Sequence, residues 1–114
     1  MQVEEVDERD SSWEIDEARF RVYVFRGCKN ATSCYDITAA EVLDAVRWAQ
    51  TRCGEDERYA LALVHDASGH DGTVVRGLTW LLGVDANIGH PDRSAQERLA
   101  GMEARRGRIV VLEP

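Results

Sequence analysis

The residues best suited to chemistry lie in one short stretch, His65-Asp66-Ala67-Ser68-Gly69-His70-Asp71, which holds two of the three histidines beside two aspartates. Imidazole and carboxylate groups bind divalent metals and exchange protons near neutral pH. His65, Asp66, His70 and Asp71 are therefore the candidate ligands of a small metal or ligand site. Their spacing fits no established template, since a metal-binding helix sets histidines at i and i+4 and an EF-hand needs an acidic ladder closed by Glu. The same residues also have the composition of a solvated turn, with Ala67-Ser68-Gly69 supplying ordinary turn chemistry. A third ligand from Asp85 or His90 lies beyond a strand expected over residues 73–84. At about 3.3 Å per residue, that strand puts roughly 40 Å between the two histidine clusters.

Other chemistries lack parts. Ser68 sits between His65 and His70 without the glycine-flanked elbow of a nucleophilic serine. Cys28 and Cys34 have no histidine nearby in sequence. No glycine-rich phosphate cradle follows a strand and opens a helix; the segment from Gly83 to Gly89 is a loop with two glycines, and Asp85 and Asn87 there read as turn formers. No catalytic residue and no cofactor is assigned, and an enzyme or metal-binding protein built on the His65 to Asp71 stretch stands as the alternative reading.

The aromatic residues raise a different possibility. Trp48 projects from the polar side of an expected helix, next to Glu41, Asp44 and Arg52, where a large ring needs a cover. A partner protein is one cover; the N-terminal segment, the second helix, or Arg52 stacked one turn away is another. Arg19, Arg21, Tyr23 and Phe25 share the second face of an expected strand, a mixture enriched at protein-binding hot spots. Arg21, Tyr23, Phe25, Trp48 and Arg52 are accordingly the candidate protein-contact residues.

Elements that would position these groups follow from periodicity and caps. Residues 19–26 alternate, with Phe20, Val22 and Val24 on one face of a strand, and Trp13 with Ile15 extends it or forms a short edge piece. Residues 27–33 read as a turn, and residues 34–37 as the returning strand. The first helix is expected over residues 38–53, opened by the capping box Thr38-Ala39-Ala40-Glu41 and a staple between Ile37 and Val42, with Val42, Val46, Ala49 and Cys53 inward and Gly54 as a left-handed stop. Residues 59–64 read as a strand and residues 73–84 as another, with Val74, Leu78, Trp80, Leu82 and Val84 on one face. Gly77 and Gly83 mark the other face for a bulge or a close approach. A second, thinly apolar helix starts near the capping box Ser94-Ala95-Gln96-Glu97 and stops at Gly107, and residues 108–112 read as an interior strand. The order is β-β-α-β-β-α-β, an α+β class with a single mixed or mostly antiparallel sheet and one amphipathic helix packed on one face. The second face then awaits the second helix or a second subunit.

Composition bounds the rest. With 114 residues and 44% hydrophobic content the chain supports one core, expected over residues 13–114, behind a flexible acidic arm of residues 1–12. The arm holds about −4 of the formal net charge of −7. An acidic field repels phosphates, which argues against nucleic acid as a partner. No apolar run suits a membrane and the N-terminus resembles no export signal, so a cytoplasmic protein with no membrane partner is expected. Three cysteines suit a reducing compartment: Cys53 reads as a core residue, and Cys28 and Cys34 as thiols that a hairpin brings near each other. Thirteen of fourteen basic residues are arginine, a bias expected of a GC-rich genome or a salt-adapted proteome and in keeping with a bacterial source. The leading reading is a small non-catalytic interaction domain that pairs with itself as a homodimer or binds another protein, for example as an acidic inhibitor or immunity protein or as a phage or plasmid accessory protein.

Overall fold

The computed structural model describes residues 1–112. Its elements are β1 (Phe20–Arg26), β2 (Ala31–Ile37), α1 (Val42–Arg52), β3 (Glu57–Ser68), β4 (Val74–Leu82) and α2 (Arg93–Arg105). The strands form one antiparallel sheet in the order β2-β1-β3-β4, which places the chain in the α+β class.

Alternation in β1 sorts the two faces. Phe20, Val22 and Val24 turn to one side and meet Tyr59 and Leu61 of β3 and Ala45, Val46 and Ala49 of α1. Small alanines on α1 let its backbone approach the sheet, and partly buried Cys53, Tyr35, Ile37, Leu63 and Leu82 close the rim. On the opposite face Phe25 and Ala60 pack with Met102 of α2, flanked by Tyr23, Trp80, Ala86 and Leu99. The second helix therefore covers the face that the sequence left open.

Both helices begin, and α1 ends, by local chemistry that differs from the sequence reading, whereas α2 leaves through Gly107 as expected. Residues 38–40 stay outside α1, with Ala39 at φ +55°, so that Glu41 becomes the N-cap and its N–H donates to Asp44 Oδ2 at 2.9 Å. The helix stops at Cys53 in an extended conformation, and Gly54 donates its N–H to Glu57 Oε1. In α2 the cap is Asp92, whose Oδ1 accepts from the Ala95 N–H at 2.8 Å. A carboxylate two residues before Ser94 takes the capping role because it satisfies the orphan amide and complements the helix dipole. Gly107, at φ +71°, provides the left-handed exit.

Residues 13–15 join no strand, and Trp13 and Ile15 are exposed. Residues 108–112 also form no strand. Their backbone groups are met by side chains of α1: Gln50 Oε1 accepts from the Val110 and Val111 N–H groups, its amide donates to the Val111 carbonyl, and Arg47 Nε donates to the Leu112 carbonyl. A segment whose hydrogen bonds are supplied by a glutamine has no need of a neighbouring strand. Val111 packs on the α1 core while Ile109 and Leu112 remain exposed. No helix of the described residues is long and apolar enough to cross a membrane.

Candidate interaction surface

The stretch from His65 to Asp71 is mostly strand. His65, Asp66, Ala67 and Ser68 belong to β3, and a short turn through Gly72, at φ +81°, leads into β4. Asp71 builds that turn by accepting from the Thr73 N–H at 3.1 Å and from Thr73 Oγ1 at 2.6 Å, contacts that hold its carboxyl below the usual range. Asp66 is held by Arg76 at 3.0 Å, which likewise lowers its pKa. His65 Nε2 lies 2.8 Å from Thr79 Oγ1, and His70 is exposed beside the turn. His65, Asp66 and Asp71 each have a separate structural contact, and among the described residues no three His, Cys, Asp or Glu side chains converge as a metal site would require.

His90 does not sit at the far end of the sheet. After β4 the chain reverses at Gly83, so that His90 lines the same open hollow of about 420 Å³ as Thr79 and Trp80, with Val84, Ile88, Ala95 and Arg98. Gly83 makes this reversal possible: it adopts φ +75°, and a Cβ there would lie 2.8 Å from Met102 Sδ.

The aromatic candidates divide. Phe25 is fully buried under α2, and Tyr23 stacks on Phe25 and tilts against Trp80 at 5.1 Å. Arg21 reaches across to β2, where Nε and one NH2 group bond the two oxygens of Asp36 at 2.7 and 3.1 Å; this fork pulls the Asp36 carboxyl down and the Arg21 guanidinium up. Trp48 keeps 39% of its surface exposed and meets Tyr35 edge-on at 5.1 Å. Arg52 lies over Tyr35 rather than Trp48 and donates to its hydroxyl at 2.9 Å. Cys28 and Cys34 are exposed free thiols, one in the turn after β1 and the other opposite Tyr23.

The feature that the sequence reading missed is the outer edge of β4. Pairing between β1 and β3 reaches Phe20 and Leu63, whereas β3 and β4 continue together to Ser68 and Val74. The last strand pair therefore projects as a two-stranded ribbon about 13 Å past the three-stranded body, taking the four residues beyond Val64, whose N–H still reaches the Arg19 carbonyl, at about 3.3 Å each. Val74 and Val75 on this ribbon are 71% and 53% exposed. Among the described residues no strand lies outside β4.

Hydrogen-bond parity defines what that edge offers. The Val64 N–H donates to the Arg19 carbonyl of the chain leading into β1, so even-numbered residues of β3 turn their backbone groups toward β1 and odd-numbered ones toward β4. His65 pairs with Gly77 and Ala67 with Val75, so Gly77 and Val75 face inward. Val74, Arg76 and Leu78 consequently direct their N–H and C=O groups outward. The outward row closes at Trp80, whose carbonyl accepts from Arg98 of α2 at 3.3 Å, next to a bulge across from Leu61 and Ala62 beyond which Leu82 pairs with Leu61. Arg76 is the single charged residue of β4, and its ion pair with Asp66 leaves the edge electrically quiet in a chain of net charge −7.

Fold and surface together define a two-helix α+β domain with an open apolar strand edge. No protein-family model matches the chain, and neither curated proteins nor solved structures give a match.

Proposed function

We propose that this chain is a small non-catalytic protein-interaction domain that docks through the free edge of β4. The supporting observation is the outward row of backbone donors and acceptors at Val74, Arg76 and Leu78, flanked by exposed Val74 and Val75. Sheet edges of this kind template pairing with another chain unless lysine, proline or a cover blunts them. Here β4 contains neither lysine nor proline. The backbone row supplies affinity and the apolar flanks supply selectivity, which is the physics of strand addition. An inhibitor or immunity protein and a phage or plasmid accessory protein both fit such a role, and the unpaired thiols suit the cytoplasm. Nucleic acid is a poor partner for this charge.

Photo-crosslinking tests the reading. A benzophenone side chain placed at Leu78 is expected to capture a protein, either this chain or another, and the same group at exposed Glu55, beyond α1, is expected to capture none. Equal labelling at both positions, or none at Leu78, would count against the β4 edge as a docking surface.

A further inference from the structure

The edge of β4 is complementary to itself, and we infer that its occupant is a second copy of this chain, paired antiparallel about a two-fold axis through Gly77. This inference rests on the interaction reading above and goes on to name the partner.

Outward-facing residues must meet outward-facing residues, which restricts the register to steps of two. An axis through Arg76 sets that arginine directly opposite its own copy, a like-charge pair that destabilises a ladder. An axis through Leu78 pushes pairing past Trp80 and into the bulge opposite Leu61 and Ala62. The axis through Gly77 separates the arginines and stops at Trp80, short of the bulge; there Arg98 takes the carbonyl and the Trp80 N–H is left to donate to Val74. This axis pairs Arg76 with Leu78 of the second copy, twice, and Val74 with Trp80. Gly77 meets itself at the closest approach of the two strands, and the space where its Cβ would stand is open.

Side chains fit the same register. Even-numbered residues of β4 lie on the face covered by α2, since Trp80 packs there. Val74, the most exposed apolar residue of the strand, thus arrives beside Trp80 of the second copy at the mouth of the hollow lined by Val84, Ile88 and Ala95. Two-fold symmetry repeats this contact at both ends and closes the assembly at a dimer, because each copy spends its β4 edge. The pairing joins two four-stranded sheets into one of eight strands. Seven residues from each copy make a small interface, so the dissociation constant is expected on the order of 1–100 μM. Repulsion between two copies of charge −7 acts against it, so added salt strengthens the dimer.

Light scattering of the purified chain across concentration is expected to rise from 12.8 kDa toward twice that mass. Leu78→Pro removes an outward N–H and no bond to β3, and it should weaken the dimer at least about tenfold while leaving the far-ultraviolet circular dichroism unchanged. In a background of Cys28→Ser and Cys34→Ser, Gly77→Cys should form an intermolecular disulfide under mild oxidation, because facing residues of a non-hydrogen-bonded pair stand within disulfide reach. Cysteine at exposed Glu55 should not. A monomer at every concentration, or equal crosslinking from both positions, would overturn self-pairing. Capture of a different protein at Leu78 in that case would leave the interaction reading standing with another partner.

Discussion

Gly83 and Met102 show how single residues set the second layer. The left-handed backbone at Gly83 turns the chain off β4, and the thioether of Met102 fills the space where a side chain would stand, within 3.5 Å of the Val84 N–H. Gly83→Ala combines an unfavourable φ with a clash, and is expected to cost about 2–4 kcal/mol in denaturant unfolding. Asp36 makes a pH prediction. Its folded pKa is lowered by the Arg21 fork, so the stability it contributes is present above the unfolded value near 3.8 and is lost as pH falls through the folded value. Asp36→Asn should lower the melting temperature at pH 7 and leave it little changed once both carboxyl forms are protonated. Cys53 sits among α1 core contacts, and burial pushes its thiol up to about 11. Exposed Cys28 and Cys34 should therefore alkylate at pH 8 well before Cys53 does. The core role of Cys53 was legible from helical spacing. The role of Met102 was not, because a lone methionine in a thin stripe carries no sign that a glycine nineteen residues earlier would receive it.

At the scale of elements, β1, α1, β4 and α2 were readable because alternation and caps act over a few residues. The errors fall where a side chain from elsewhere decides the outcome. Gln50 turns residues 108–112 from an expected strand into a strap on α1, and nothing near residue 108 announces it. Gln50→Ala should expose the Val110 and Val111 amides to fast hydrogen exchange and cost about 1–2 kcal/mol. The bulge opposite Leu61 and Ala62 had a similar effect: it moves Leu82 to the α1 face while Trp80 stays under α2, so the single apolar face expected for this strand is split. Trp48 completes an aromatic pair with Tyr35, and Trp48→Ala is expected to lose about 1 kcal/mol of stability without weakening self-association.

Over the whole molecule, two helices protect the two faces of one sheet and leave its edges, β2 and β4, of which β4 is the one that exposes large apolar side chains. Faces were legible in the sequence because periodicity reports them. The edge was not, since strand order depends on which strands pair across long separations, and the ribbon arises because β3 outlasts β1. The acidic stretch ahead of residue 13 sets the long-range field, while the β4 edge stays locally neutral through Arg76 and Asp66. Hydrogen exchange resolved to single amides tests the central claim most directly. Val75, Gly77 and Thr79, bonded to β3, should be protected at every concentration, whereas Val74, Arg76 and Leu78 should exchange freely when dilute and slow as concentration rises or a bound protein is added. If those three amides exchange at the dilute rate under all such conditions, the edge is not where this protein binds.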